Sequence, residues 1–155
     1  MKQFLFAVLC FVAAGAYAQQ SAIELVRQDL KTTKVALLTA SLPLTSKQAD
    51  VFWPIYREYS NELSKLGDRR IAVLKKVFEK YETMDPETAD KLVKESFSIA
   101  EDRTSLLKKT YKKVSKELDP VTAARFLQVE NQLLTIVDAQ IIDQVPLIKS
   151  TAEKK

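Results

Sequence analysis

Apolar residues recur every three to four positions along most of this chain, and proline-containing breaks divide the recurrence into four stretches. A period of that length puts one apolar stripe on each of four α-helices. Val26, Leu30, Thr33, Leu37 and Ala40 mark a first helix from Ser21 to about Ala40, ended by Ser41-Leu42-Pro43. A second helix, from Ser46 to about Glu82, carries Ala49, Phe52, Tyr56, Tyr59, Leu63 and Leu66. It loses the stripe at Gly67 and Arg70 and resumes it at Leu74, Val77 and Tyr81. The third, ending near Leu118, has the most regular stripe: Val93, Phe97, Ala100, Thr104, Leu107, Tyr111, Val114 and Leu118. This stripe is expected in the core, with Phe97 among its largest members. The fourth carries Phe126, Leu127, Leu133, Leu134, Val137 and Ile141 before Pro146.

Each of the last three helices announces its start. Thr45, three residues before Gln48, has capping-box spacing: its hydroxyl can accept from the backbone N–H of Gln48, whose amide can reach back to the N–H of Thr45. Asp85-Pro86-Glu87 supplies a cap, a proline in the first helical position and an acid in the first turn, and Asp119-Pro120 repeats the start. Pro54, two turns inside the second helix, is expected to kink it because it removes one backbone bond and crowds the carbonyl of Asp50. A connection of about three residues between the second and third helices predicts an antiparallel hairpin. The fold class expected is all-α: four helices built around that long hairpin.

Composition agrees and removes most chemistry. The 155 residues include 2 glycines, 1 cysteine and no histidine. Glycine scarcity disfavours hairpin strands and phosphate-cradling loops. Lys2, the apolar run from Phe4 to Ala14 and the small-x-small Ala16-Tyr17-Ala18 read as a cleaved signal peptide over residues 1–18. The run is shorter than the ~20 residues a bilayer span needs. Cys10 raises lipidation as an alternative, against which Leu9 stands where a small residue is required. Cleavage removes Cys10, leaving neither thiolate nor imidazole for nucleophilic or metal chemistry, and no Asp/Glu cluster has the loop spacing of a carboxylate-only metal site, so no enzyme, cofactor or metal is expected. It also lowers the formal charge of +4 by one, through loss of Lys2. That balance is too small to point to nucleic acid. A membrane surface is not the expected partner either. Residues 19–148 then form one helical domain, and 149–155 a polar tail.

Two charged features stand out. Lys108, Lys109, Lys112, Lys113 and Lys116 form a basic stripe along one flank of the third helix, with Glu117 the one acid nearby. Such a stripe is either a solvated face or a lure for acidic and unfolded chains, held by neighbouring apolar groups. Arg70 interrupts the apolar stripe of the second helix, and Glu130 lies between Phe126 and Leu133 on that of the fourth. A charge in a packed interface needs a partner, so Glu130 is expected to pair with Arg70 or Arg69. Tyr56, Tyr59, Tyr81 and Tyr111 are expected in the core.

Leu44-Thr45-Ser46-Lys47-Gln48 resembles the Leu-Thr-x-x-Gln signature of the Spy/CpxP-like family of periplasmic helical proteins. A second family copy corresponds to Leu118-Asp119-Pro120-Val121-Thr122, continued by Ala123-Ala124-Arg125-Phe126. Here Asp119 stands for the threonine and Thr122 for the glutamine. The Phe52-Trp53-Pro54-Ile55-Tyr56 run and Phe126 to Asn131, which includes Glu130, are similar to a divergent side branch. The resemblance implies a periplasmic protein whose hairpins can pair into a cradle-shaped homodimer. Its implied activity is ATP-independent, chaperone-like or adaptor binding of unfolded envelope proteins. The alternative is a regulator that binds the ectodomain of an envelope-stress sensor, or a structural envelope protein.

Overall fold

The computed structural model describes residues 32–143 and 145–149, and among them every regular element is an α-helix. The signal-peptide segment and the first ten or so residues of the expected first helix lie outside the described residues. The chain divides into two compact units, Met1–Ser41 and Leu42–Lys155.

In the first unit, residues 32–41 form helix α1. Its Thr39 hydroxyl donates to the carbonyl of Val35 at 2.8 Å, one turn back. The expected stripe is displaced by one position. Thr33, Leu37 and Ala40 are exposed, and Leu38 is the buried residue. Val26 and Leu30 lie outside the described residues.

The second unit contains α2 (Ser46–Lys80), α3 (Pro86–Glu117) and α4 (Pro120–Ile142). Thirty-five residues make α2 about 50 Å long at 1.5 Å per residue. It stays helical through Pro54, which is exposed, and ends at Lys80, two residues before the expected Glu82. Contacts set the directions. Glu58 meets Lys113 and Arg69 meets Asp102, so α3 descends as α2 ascends. Phe52 meets Phe126 and Tyr59 meets Glu130, so α4 runs the same way as α2. The hairpin is therefore joined by a third helix in an up-down-up arrangement.

All three starts form as their residues dictate. Gln48 N–H donates to the Thr45 hydroxyl at 3.3 Å, and Gln48 Oε1 accepts from Thr45 N–H at 3.0 Å. Asp85 accepts from the backbone N–H and hydroxyl of Thr88 at 2.8 and 2.7 Å. Asp119 makes the same pair of bonds with Thr122, at 2.9 and 2.6 Å. The two starts share the pattern Asp-Pro-x-Thr, in which the threonine hydroxyl locks the capping carboxylate.

The aromatic part of the core lies at one end of the unit, and Val77, Met84 and Ile99 are buried toward the other. Phe126 is completely buried, with its ring edge-on to Phe52 at 5.8 Å and to Tyr59 at 5.7 Å. Tyr56, Ile55, Val114 and Ala123 complete it. Along α2 and α4 the expected stripes face inward; Tyr81 after the end of α2 and Tyr111 on α3, both expected in the core, are half-buried.

The N-terminal half of α3 departs from expectation. Phe97 is 66% exposed, Val93 is 50% exposed, and Ala100 and Thr104 are exposed as well. The inward positions are Leu92, Glu95, Ile99, Arg103, Leu106 and Thr110, joining the expected stripe at Val114. Two causes act together. A stripe stepping by 3.5 residues drifts about 20° per heptad on a straight helix, so Val93, three heptads from Val114, is about 60° out of line. The inward face here also carries charge: Glu95 and Arg103 make interhelical ion pairs there. A hydrophobicity pattern passes over such a face in favour of its neighbour.

No helix among the described residues is long and apolar enough to cross a membrane.

Candidate functional site

The residues on which the family resemblance rests are mostly parts of the fold's caps and core. Leu44 and Gln48 are half-buried, and Thr45 is an exposed cap. Phe52, Tyr56 and Phe126 are core, with Trp53 half-buried edge-on to Phe52 at 5.2 Å. Pro54 and Arg125 are exposed, and Glu130 is fully buried.

The expected pairing of Arg70 or Arg69 with Glu130 does not form. Glu130 Oε1 instead accepts from the Tyr59 hydroxyl at 2.9 Å. Burial, reinforced by the Glu130 charge, pushes the phenols of Tyr56 and Tyr59 well above the usual tyrosine range. Arg69 turns to α3, donating to Glu95 at 2.8 Å, Asp102 at 2.6 Å and Ser98 at 3.0 Å. Arg70 turns to α4 and donates to Asp138, which also accepts from Arg103 of α3 at 2.8 and 3.1 Å. The reason is register: α4 lies beside α2 so that Glu130 meets Tyr59, eleven residues before Arg70.

The lysine stripe is not uniform. Lys113 donates to Glu58 of α2 at 2.6 Å, and Lys109 lies 4.0 Å from the same carboxylate. The Lys113 hydrogen bond and charge hold the Glu58 carboxyl below its ordinary range. Lys116 lies 3.9 Å from Glu117. Lys108 and Lys112 are exposed. The largest exposed apolar groups of α3, Val93 and Phe97, lie toward its other end.

At that end the helices enclose a groove of about 480 Å³. Val73 and Leu74 of α2, Ile99 and Ala100 of α3, and Ile141 and Ile142 of α4 form its walls. Arg70, Arg103 and Asp138 supply its polar part, and Val145 to Leu147 line it beyond the end of α4. The segment carrying those last residues is pinned to the end of α2: Lys149 N–H donates to the Tyr81 carbonyl at 3.2 Å, and its ammonium to Glu82 at 3.1 Å. Lys149, expected in a loose polar tail, is thus tied down; the remaining tail residues lie outside the described ones. Exposed apolar residues lie near the groove. Phe78 follows Leu74 by one turn, Phe97 precedes Ala100 by one turn, and Leu147 is 92% exposed. A volume of this size and a lining of apolar walls with a few convergent polar groups are usual for a binding site.

No sequence motif marks the groove, because Arg70, Arg103 and Asp138 come from three helices. The one available signal was Arg70 breaking an apolar stripe. Comparisons with protein-family models, curated proteins and solved structures found no match.

Proposed function

We propose that this chain is a periplasmic, ATP-independent binding protein of the Spy/CpxP-like kind, chaperone-like or adaptor, that holds unfolded envelope proteins on its helical surface. The observation carrying this reading is the apolar lining of the groove, with Ile142 and Leu147 exposed on it and Phe78, Val93 and Phe97 exposed within one or two helical turns of its walls. Exposed apolar residues gathered around a groove favour an interaction site over scattered exposure. The lysine flank adds long-range attraction for acidic segments, which speeds encounter and weakens with salt. The sequence without histidine, and the resemblance carried by Leu44, Thr45 and Gln48, support the same reading.

The test is suppression of aggregation of a chemically unfolded client, followed by light scattering without ATP. Wild type is expected to slow aggregation, and high salt to weaken the effect without abolishing it. Phe97→Asp with Leu147→Asp should remove most suppression. Lys109, Lys112 and Lys116 changed together to Glu should slow capture while circular dichroism stays unchanged. If wild type leaves aggregation unaltered, the chaperone reading fails and the sensor-regulator alternative takes its place, to be tested by pull-down with a sensor ectodomain.

A further inference from the structure

We propose that the groove between α2, α3 and α4 binds a long-chain fatty acid, its carboxylate held by Arg70 and Arg103 and its alkyl chain laid along the apolar walls. The inference shares the groove with the client-binding reading but does not depend on it.

Charge is the first argument. Two guanidinium groups in the groove share one carboxylate, Asp138, which leaves one positive charge over. The other acids that engage an arginine nearby, Glu95 and Asp102, are taken up by Arg69 and do not line this groove. A singly charged anion would complete the balance. A phosphate monoester, at about −1.5 to −2, would oppose Asp138 with charge to spare.

Donor geometry is the second. A guanidinium has five N–H donors in a planar fork. Arg70 and Arg103 each use Nη1 toward Asp138, while Nε and Nη2 of both make no hydrogen bond among the described residues. Both side chains are about 30% exposed, at 28% and 31%. Their spare donors therefore sit partly shielded from water, where charge-assisted bonds to a carboxylate are strongest and bidentate binding is favoured.

The walls are the third. Leu74, Ile99, Ala100, Ile141 and Leu147 offer an alkyl chain apolar contact beyond the charged pair, and affinity should grow with each methylene buried. A short carboxylate would have the head-group contacts alone.

The experiment follows the fluorescence of anthroyloxy-stearate with the purified chain at concentrations below those at which the probe aggregates. Saturable binding at one probe per chain is expected, reversed by oleate. Oleyl alcohol, with the same tail and no charge, should displace the probe about tenfold less well, and butyrate not at all. Arg103→Gln should weaken oleate by about tenfold and leave oleyl alcohol unchanged. Ala100→Trp, which fills the groove from an exposed position, should abolish probe binding with an unaltered melting curve. Equal displacement by acid and alcohol overturns the proposal, as does undiminished binding to the Ala100→Trp chain. Stronger displacement by oleyl phosphate than by oleate overturns the head-group assignment. Stronger displacement by a peptide alternating aspartate with leucine gives the groove to protein clients instead. Aggregation assays read the client-binding function separately, so either reading can fail while the other stands.

Discussion

The hydroxyl of Tyr59 on α2 donates a 2.9 Å hydrogen bond to Oε1 of Glu130 on α4, inside the aromatic core, and Glu130 has no exposed surface. This one bond couples two helices 71 positions apart in the chain. Removing it takes one donor from a buried carboxyl, so Tyr59→Phe should cost about 1–3 kcal/mol in urea unfolding despite near-identical volume. The same pair predicts alkaline sensitivity. The Tyr59 phenol is raised by burial and by Glu130, so the native state keeps its proton where the unfolded chain releases it. Stability is then intact below the unfolded-state tyrosine value of about 10 and falls as pH rises above it. An unchanged midpoint for Tyr59→Phe would show the bond to be energetically idle.

Phe97 and Phe126 should respond oppositely to the same substitution. Phe126→Ala empties the centre of the aromatic core and should cost about 3–5 kcal/mol. Phe97→Ala removes a ring that is 66% exposed and should change stability by no more than about 0.5 kcal/mol. Denaturant titration of the two variants decides whether α3 has the register described here.

Gly67 lies in the middle of α2 without need of its conformational freedom. Its φ is not positive, and a methyl group added there would meet nothing within 4 Å. Gly67→Ala should therefore raise stability by about 0.4–1 kcal/mol through reduced backbone entropy of the unfolded chain. A loss in thermal melting would point to a close approach at this site in solution.

Acid should unfold the starts of α3 and α4 first. Bonds from Thr122, side chain then backbone, hold the Asp119 carboxyl below its usual range, and those from Thr88, backbone then side chain, do the same for Asp85. Because both folded values are depressed, their stabilisation is complete above the unfolded-state value of about 3.9 and disappears as pH falls through the folded values. Asp119→Asn, which keeps a capping oxygen without a titrating one, should flatten the acid limb of the melting temperature against pH. A limb of undiminished slope assigns the acid sensitivity elsewhere.

Local signals account for nearly all of the secondary structure. Helix starts at Thr45, Asp85 and Asp119 are decided within four residues each, because a cap and its backbone donors are neighbours in the chain. The all-α class, the antiparallel hairpin and the inward faces of α2 and α4 follow from apolar period and short connections. What required the tertiary structure was the rotation of α3 and the identity of every charged partner. An apolar stripe reports where water is excluded only if the interface is apolar, and the α3 interface includes the ion pairs Arg69–Glu95 and Arg103–Asp138. Arginine reaches several residues along a neighbouring helix, so spacing alone could not choose Asp138 over Glu130 for Arg70. The groove belongs to the same class of fact. Its charged part is assembled from three helices, and one turn from its Ala100 lies the exposed Phe97, which pattern alone placed inside. The starts of α2, α3 and α4 follow from residues adjacent in the chain, whereas the side of α3 that faces water, and with it the place of the groove, follows from packing among distant ones.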